Sequence, residues 1–368
     1  MYDISEIDNA GGNGQIKATL KSIEQAAGVS VATVSLVLNG KPCRVSQPTK
    51  ERIIRTARDM HYAPNQAARS LKTQKSHTFG FLVPDISNAF YSDLAKLVEE
   101  YSYQSGYRLM LGNSNGLYKR DYEYLKLFIE RNVDAVITIP SSTFVDGQAG
   151  KFFSLIRENK VPVIVIDHFM HSDAVYNINI DHVRGGYLAA RHLLSLGHRR
   201  IGLCTGPLEL AIGRQRLQGY RQALEEFQCP FEEDLVYQDA FDIASGGHSV
   251  DYFLARQVTG ICCSNDMMAL GVYRKCAHYG LRIPENISVV GFDNIILSEI
   301  LNPPLTTAAL PIDQLARTAV ELAIRLSRGD SSPEGGGLLF QPEMVIRDST
   351  RFRGAPSPGH NRKESETP

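Results

Sequence analysis

From Thr78 onward, short apolar runs alternate with longer amphipathic stretches of helical period. The runs are "TFGFLV", "YRLMLG", "DAVITI", "VPVIVI", "RIGLCTG", "GICCS" and "ISVVGF", and residues 91–105, 119–131, 184–196, 214–228 and 266–279 carry the helical spacing. Parallel strands need a crossover between them, and a helix supplies it. The alternation therefore predicts parallel sheets covered by helices on both faces. The stretch is roughly 270 residues long, more than one core holds comfortably, which predicts two similar lobes.

Residues before Thr78 have a different texture. Thr19 can cap a first helix with Leu20, Ile23, Ala26 and Ala27 as apolar positions and Gly28 as its stop. Ser30 can cap a second, "VATVSLVL", closed by Asn39 and Gly40. Ser46 opens a third, with Pro48 in its first turn, Ile53, Ile54, Ala57 and Met60 on one face, and an end near Pro64. Between Lys17 and His77, eleven Lys or Arg stand against three acids, a local +8 within a chain of net charge −1. A basic three-helix head before an acidic body predicts a nucleic-acid-binding unit fused to a domain with another task.

Two short helices joined by a Gly-containing turn and followed by a third make a helix-turn-helix. Ala26, Val34, Val37 and Leu38 are expected to face inward. Val31, Ala32, Thr33, Ser35 and Leu36 project from the start of the second helix, the part that meets base edges in the major groove. Hydroxyls at Ser30, Thr33 and Ser35 suit phosphate oxygens.

Composition excludes several classes. Hydrophobic residues make up 43% and charged residues 21%, ordinary values for a soluble globular protein, and no apolar run reaches the length of a membrane span. The start "MYDISEIDNAGGNGQ" lacks the basic and apolar regions of a signal peptide, so a cytoplasmic location is expected. Six cysteines at irregular spacing, without a CxxC pair, fit reduced thiols, and Cys262 and Cys263 read as packing residues in a strand. Neither a GxGxxG after the first strand, nor a GxxxxGK[ST], nor a nucleophile with an evident base occurs, which argues against an enzyme. No metal set, catalytic residue or cofactor is expected.

The motifs "AAGVSVATVSLVLNGKP", "HYAPNQAARSLKTQKS", "FGFLVPDISNAFY", "HLLSLGHRRIGLCTGP", "NDMMALGVY", "ISVVGFDN" and "PPLTT" closely resemble, in order and spacing, those of the LacI/GalR family of bacterial transcription regulators. The resemblance covers about residues 17–349. It implies an all-α helix-turn-helix head and an α/β two-lobed, periplasmic-binding-protein-like body with parallel sheets. The expected division is a disordered extension over 1–16, the DNA-binding head over 17–62, a hinge helix and linker over 63–77, the body over 78–349 and a disordered tail over 350–368. Within the body the first lobe takes about 78–177 and 309–337, the second about 178–308 and 338–349, with three crossing strands.

By resemblance, Val31, Ala32 and Leu36 are the main base readers. Leu36 stands where the family often has Arg, so it can meet only apolar groups such as a thymine methyl. Thr19, Asn39, Ser46 and Asn65 complete the DNA-facing set, although "KPCRVS" holds one residue more than the usual "KPxVS". The segment "PNQAARSLKTQ" is about two helical turns, too short to be stable in water without a partner. The resemblance makes it a hinge helix in which Leu71 wedges between base pairs, Ala68 lets two copies approach, and Arg69 and Lys72 lie near phosphates or the groove floor.

In open α/β sheets, ligands bind beyond the carboxyl ends of the strands. Those positions hold Asp85, Asp167, His168, Asn265, Asp266, Asp293 and Asn294, with Phe241 after "LVYQD" and Arg216 in a helix after "CTG". Asp266 reads as a helix cap rather than a ligand group. Phe90, Tyr91 and Phe241 can supply flat apolar walls. The resemblance matches Phe90, Arg216, Phe241 and Asp293 to common effector contacts, with Asp85, Asp167 and Asn265 as further candidates; Tyr91 joins the expected effector set as an apolar wall. Ala309 and Leu310 stand where the family often places polar residues. The expected partners are a pseudo-palindromic double-stranded DNA operator, a small-molecule effector (a sugar or sugar derivative) and a second copy of the chain, with no membrane. The rival readings are a nucleobase- or nucleoside-responsive corepressor-type regulator and a transport-type solute-binding protein.

Overall fold

The computed structural model describes residues 18–62, 75–141, 146–168, 170, 172–330 and 337–353. Two compact units result, one ending at Gln74 and the other starting at Lys75.

The head is three helices, α1 (Leu20–Ala27), α2 (Val31–Leu38) and α3 (Gln47–Asp59). Thr19 caps α1 reciprocally with Ser22, and Gly28 ends it at a φ of 64°, a conformation that favours glycine. Ile23, Ala27, Val34, Ile53 and Ala57 form the core, ringed by Leu20, Val29, Val37, Leu38, Met60 and Tyr62. Two inward assignments fail. Ala26 is exposed because Ile23 and Ala27, four residues apart, take the buried stripe. Ile54 is 46% exposed, since Ile53 and Ala57 fill the same role on α3. Ser46 stands at the N-cap of α3, but its hydroxyl pairs with Thr49 Oγ1 at 2.9 Å instead of capping a backbone amide.

In the body, alternate residues of each strand enter different cores. Phe79, Phe81 and Val83 of β1 (Thr78–Val83) enter one, and Leu82 the other. Strands β2 (Arg108–Asn113), β3 (Ala135–Thr138), β4 (Val163–Ile166), β5 (Tyr176–Ile180) and β11 (Leu338–Phe340) complete a six-stranded sheet of order β11-β5-β4-β3-β1-β2, parallel throughout. Burial on both faces explains the near-continuous apolar strands. Helices α4 (Ala89–Gln104), α5 (Tyr118–Glu130), α6 (Asp146–Asn159) and α12 (Ile312–Ser327) belong to this lobe.

The second sheet runs β12-β10-β9-β8-β6-β7, from β6 (Ile201–Thr205), β7 (Val236–Gln238), β8 (Gly260–Cys263), β9 (Ser288–Asp293), β10 (Thr306–Ala309) and β12 (Glu343–Val345). It carries α7 (His182–Ser195), α8 (Ala211–Glu226), α9 (Ile243–Leu254), α10 (Asp266–His278) and the short α11 (Leu297–Ile300). Only β12 is antiparallel to its neighbour. Helices α7 and α8 cross where a Cβ on Gly186 would lie 2.2 Å from the Arg216 carbonyl oxygen and one on Gly219 would lie 1.9 Å from that of Val183. Cys204, Cys262 and Cys263 are buried free thiols, and burial pushes the Cys204 thiol up to about 12, so they serve packing.

Three crossings join the lobes: β5 to α7, β10 to α12, and β11 to β12. The first falls after Ile180, beyond the expected 177, because β5 extends that far in the first sheet. Ala309 still pairs with Asp293 in the second sheet, and Leu338–Phe340 pair with β5 in the first, so the other two crossings also come later than expected. The ends of the body extend as well. Ser76 and His77, expected in the linker, donate backbone amides to Asp134 at 2.8 and 3.0 Å. Residues 350–353, expected in the tail, are pinned: Thr350 Oγ1 meets His192 at 2.9 Å and the Arg353 amide donates to the Leu196 carbonyl at 2.8 Å.

His198 anchors this C-terminal segment, with Nδ1 on Thr259 Oγ1 at 2.7 Å and Nε2 on the Arg351 carbonyl at 3.3 Å. The ring is 1% exposed, and burial drives it down to about 4. It stays neutral in the folded chain while the unfolded chain protonates near pH 6.5. Unfolding therefore takes up a proton between about pH 6.5 and about pH 4, and stability falls as pH drops through that window. Urea titrations across this range should show an acid loss that is shallower by about one proton in His198→Asn. Equal slopes would refute it.

Candidate functional site

On the head, Ala32 and Leu36 of α2 are exposed, with Leu36 at 36%. Ser30 caps the helix, receiving the Thr33 amide at 3.3 Å, and its hydroxyl pairs with Thr33 Oγ1 at 2.9 Å. Asn39 Nδ2 donates back to the Ser35 carbonyl at 2.7 Å. A contact that the sequence reading missed is Glu24 Oε1, which accepts the Val31 amide at 3.1 Å. It satisfies one N-terminal donor of α2 and places a carboxylate at the positive end of the helix. Asn65, Ala68, Arg69, Leu71 and Lys72 lie outside the described residues.

In the body, the carboxyl ends of the strands bring charged groups from both lobes together. Asp167 follows β4 in the first lobe, and its Oδ1 is 2.5 Å from His182 Nε2, at the first turn of α7 in the second. Arg216 Nε donates to His182 Nδ1 at 3.3 Å. A guanidinium only donates, so Nδ1 must accept and the proton sits on Nε2, facing Asp167. His182 is thus a neutral ring linking Arg216 to Asp167 across the lobes. Arg216 Nη1 also donates to the Ser264 carbonyl, its guanidinium carbon lies 3.6 Å from the centre of the Phe292 ring, and Nη2 stands 3.8 Å from Asp293 Oδ1.

Burial sets the electrostatics. It would raise the Asp167 carboxyl, but the His182 ring beside it, with His168 and Arg216, holds that carboxyl below its usual range. Asp293 goes the other way: burial raises it well above that range, Asp266 and Asp167 add to the shift, and Arg216 opposes it. Burial raises the Tyr91 hydroxyl too, with Asp167, Asp293 and Asp85 adding to the shift, so it stays protonated among carboxylates. Burial also lowers His168, against the opposing pull of Asp167. Asp167 and Asp293 have φ of 67° and 107°. Such strain at non-glycine residues concentrates at functional sites.

Of the residues expected here, Tyr91, Asp167, Arg216 and Asp293 come together, and the Phe241 ring centre lies 5.9 Å from the Arg216 guanidinium carbon. Asp85 is exposed, and its carboxylate accepts from the Ser87 amide at 2.9 Å. Phe90 is only 6% exposed and packs in the first-lobe core instead of forming an open wall. The cap of α10 is Asn265, not Asp266: Asn265 Oδ1 accepts the Met268 amide at 2.8 Å, and its Nδ2 donates to the Phe241 carbonyl at 3.2 Å. Asp266, one residue inside, instead ties down the loop after Asp293, accepting from the Ile295 amide at 3.0 Å, Ser298 Oγ at 2.6 Å and Thr307 Oγ1 at 2.8 Å. Arg347 braces the same loop through Asn294 Oδ1 at 2.8 Å.

His182 was missed because "YNINI" was not read as a strand. Its alternating asparagines mask the apolar signal, yet the rule that points to Asp167 after β4 points equally to His182 after β5.

Residues 19–65 match the family described as bacterial regulatory proteins, lacI family, and residues 190–350 match the periplasmic binding protein-like domain. The HTH-type transcriptional repressor PurR of Vibrio campbellii is 33% identical over 336 residues, spanning 91% of this chain and 99% of that protein. The chain belongs to the LacI family. The LacI-family regulator DegA of Bacillus subtilis is also 33% identical, over 91% of this chain and 98% of its own length. Among solved structures, the lac repressor dimer bound to operator and the anti-inducer ONPF superposes with a TM-score of 0.78 at 26% identity, covering 91% of this chain and 99% of that one. A ribose-bound LacI-family regulator from Enterococcus faecium has a TM-score of 0.67 and 31% identity, covering 75% of this chain and 100% of that one. The LacI-family relatives are regulators of transcription, not enzymes, and among the described residues no helix is long and apolar enough to cross a membrane.

Proposed function

We propose that the chain is a repressor that acts in the cytoplasm as a homodimer on a roughly palindromic operator, with affinity set by a small molecule, a sugar or sugar derivative, held between the body lobes. The observation that carries this reading is the buried Asp167–His182–Arg216 link: a polar cluster built from both lobes at the carboxyl ends of their sheets, in a chain that also bears a helix-turn-helix. A ligand competing for those groups changes how the lobes engage, and two-fold protein symmetry matches two half-sites. The ribose held by the Enterococcus faecium relative supports the sugar reading. The ring of Phe241 near Arg216, with Tyr91 in the same cluster, is the feature that favours a nucleobase as the second reading.

On the head, Val31, Ala32 and Leu36 face base edges, Thr19, Ser30, Thr33, Ser35, Asn39 and Ser46 lie along the backbone, and Asn65, Ala68, Arg69, Leu71 and Lys72 engage the minor groove. Selection from a genomic fragment library with the full-length protein should yield a two-fold-related site. Leu71→Ala should weaken binding to it by at least about tenfold without lowering the Tm of the body. Recovery of no sequence-specific DNA would remove the regulator reading; lost stability without lost DNA affinity would remove the role of Leu71.

A further inference from the structure

In the head, the turn between α1 and α2 is organised by one residue. The Glu24 carbonyl accepts the amides of Gly28 at 2.9 Å and Val29 at 3.4 Å, which close α1. Its side-chain Oε1 accepts the Val31 amide at 3.1 Å, where α2 begins. The half-buried side chain therefore leaves a fixed turn and ends at the first residue of the second helix. Oε1 is engaged and Oε2 is not: among the described residues no hydroxyl, amide or cationic side chain meets it. The other side chains at this end offer little to read a base with. Val31 and Ala32 have no polar side-chain atom, and the Ser30 hydroxyl is engaged by Thr33 through both its amide and its Oγ1. Helix α2 itself, VATVSLVL, carries no charged residue. Glu24 Oε2 is thus the open charged acceptor at the start of α2, and it is supplied by α1.

We infer that Glu24 determines base preference in the operator: it accepts the exocyclic amine of a cytosine, and rejects guanine, at one symmetry-related position in each half-site. The inference rests on the reading of the chain as an operator-binding regulator with α2 in the major groove, where the first residues of a recognition helix meet base edges. In that groove cytosine presents its N4 amine as a donor, and adenine presents an N6 donor beside the N7 acceptor. Guanine presents the acceptors O6 and N7, and thymine the acceptor O4. A carboxylate oxygen only accepts. It gains a charge-assisted hydrogen bond from cytosine, faces a mixed edge on adenine, and meets opposing lone pairs on guanine and thymine. Because Oε1 is tied to Val31, Oε2 is presented without the rotamer freedom that a loose glutamate would lose on binding.

The test compares full-length wild type, Glu24→Gln and Glu24→Ala in selections from a pool of random double-stranded DNA. Glu24→Gln keeps the size of the side chain and the cap on Val31. Its amide oxygen must take the Val31 amide, since the reverse would set N–H against N–H, so the NH2 turns outward. The outward group changes from acceptor to donor. The preferred base at the affected position should then change from cytosine in the wild type to guanine or thymine in Glu24→Gln, while Glu24→Ala should show no preference there. Affinities on the two selected sites should reverse between wild type and Glu24→Gln, each protein favouring its own site by about tenfold. A residue that only capped α2 would alter the Tm and the overall affinity but not the choice of base. The same bases selected by all three proteins at every position would overturn the inference, and so would a changed position at which the wild type does not take cytosine. Either result leaves the regulator reading in place; a wild type that selects no sequence removes both.

Discussion

Arg216→Met should destabilise the body by about 3–5 kcal/mol, the usual cost of removing one partner from a buried charged pair. The substitution keeps an unbranched side chain of similar reach but leaves Asp293 without its cation and His182 Nδ1 without its donor. It also removes the stack on Phe292, worth about 2 kcal/mol where the cation is desolvated. Arg216→Lys should rescue little, because an ammonium has neither the planar face nor the fork that reaches His182 and Ser264 together. Urea denaturation reads the stability. Operator binding with and without effector reads the second consequence, a repressor that still binds DNA but no longer responds. An Arg216→Met protein unfolding at the wild-type urea concentration would show that the cluster contributes nothing to holding the lobes.

Gly219→Val is expected to cost about 3 kcal/mol or more, for a purely steric reason. A Cβ at Gly219 would lie 1.9 Å from the Val183 carbonyl oxygen and 2.5 Å from the Tyr187 amide, both backbone atoms of α7 that cannot swing aside. The helices must separate, and the damage reaches the site because α7 begins at His182 while α8 carries Arg216. The proton on His182 Nε2, sheltered against Asp167, should give a downfield imidazole resonance in the wild type and lose it in the variant. A wild-type Tm for Gly219→Val would mean that α7 and α8 are not in the close contact described.

The architecture was legible in the sequence because it rests on periodicity, and periodicity survives local irregularity. Strands with both faces buried are apolar at nearly every position, as Phe79 to Val83 and Val163 to Ile166 show, and they stand out. What failed was finer than the period. Counting Ala26 inward beside Ala27, or Ile54 beside Ile53, is an error of one residue on a short helix, where two adjacent apolar side chains compete for one stripe. Asn265 takes the capping role expected of Asp266 for a similar reason: either can cap a helix, and only the loop after β9, which needs a carboxylate for Ile295, Ser298 and Thr307, decides between them. Asp167, Arg216 and Asp293 were found because each follows a recognisable element. The engagement of Arg216 by His182 and Ser264 depends on two helices meeting at Gly186 and Gly219, a tertiary event with no local signature.

The order of the crossings has a consequence for synthesis. The first lobe lacks an edge strand until Leu338–Phe340 is made, and the second lacks one until Glu343–Val345 follows. Neither lobe can close its sheet while the ribosome is still translating the preceding helix, although most of the first lobe's residues emerged long before. The head has its whole core by Tyr62. A nascent chain therefore carries a head with its core complete, tethered to a body whose two sheets gain their edge strands only at residues 338–345. Messages truncated before codon 338 would release heads carrying a body whose two sheets both lack an edge strand.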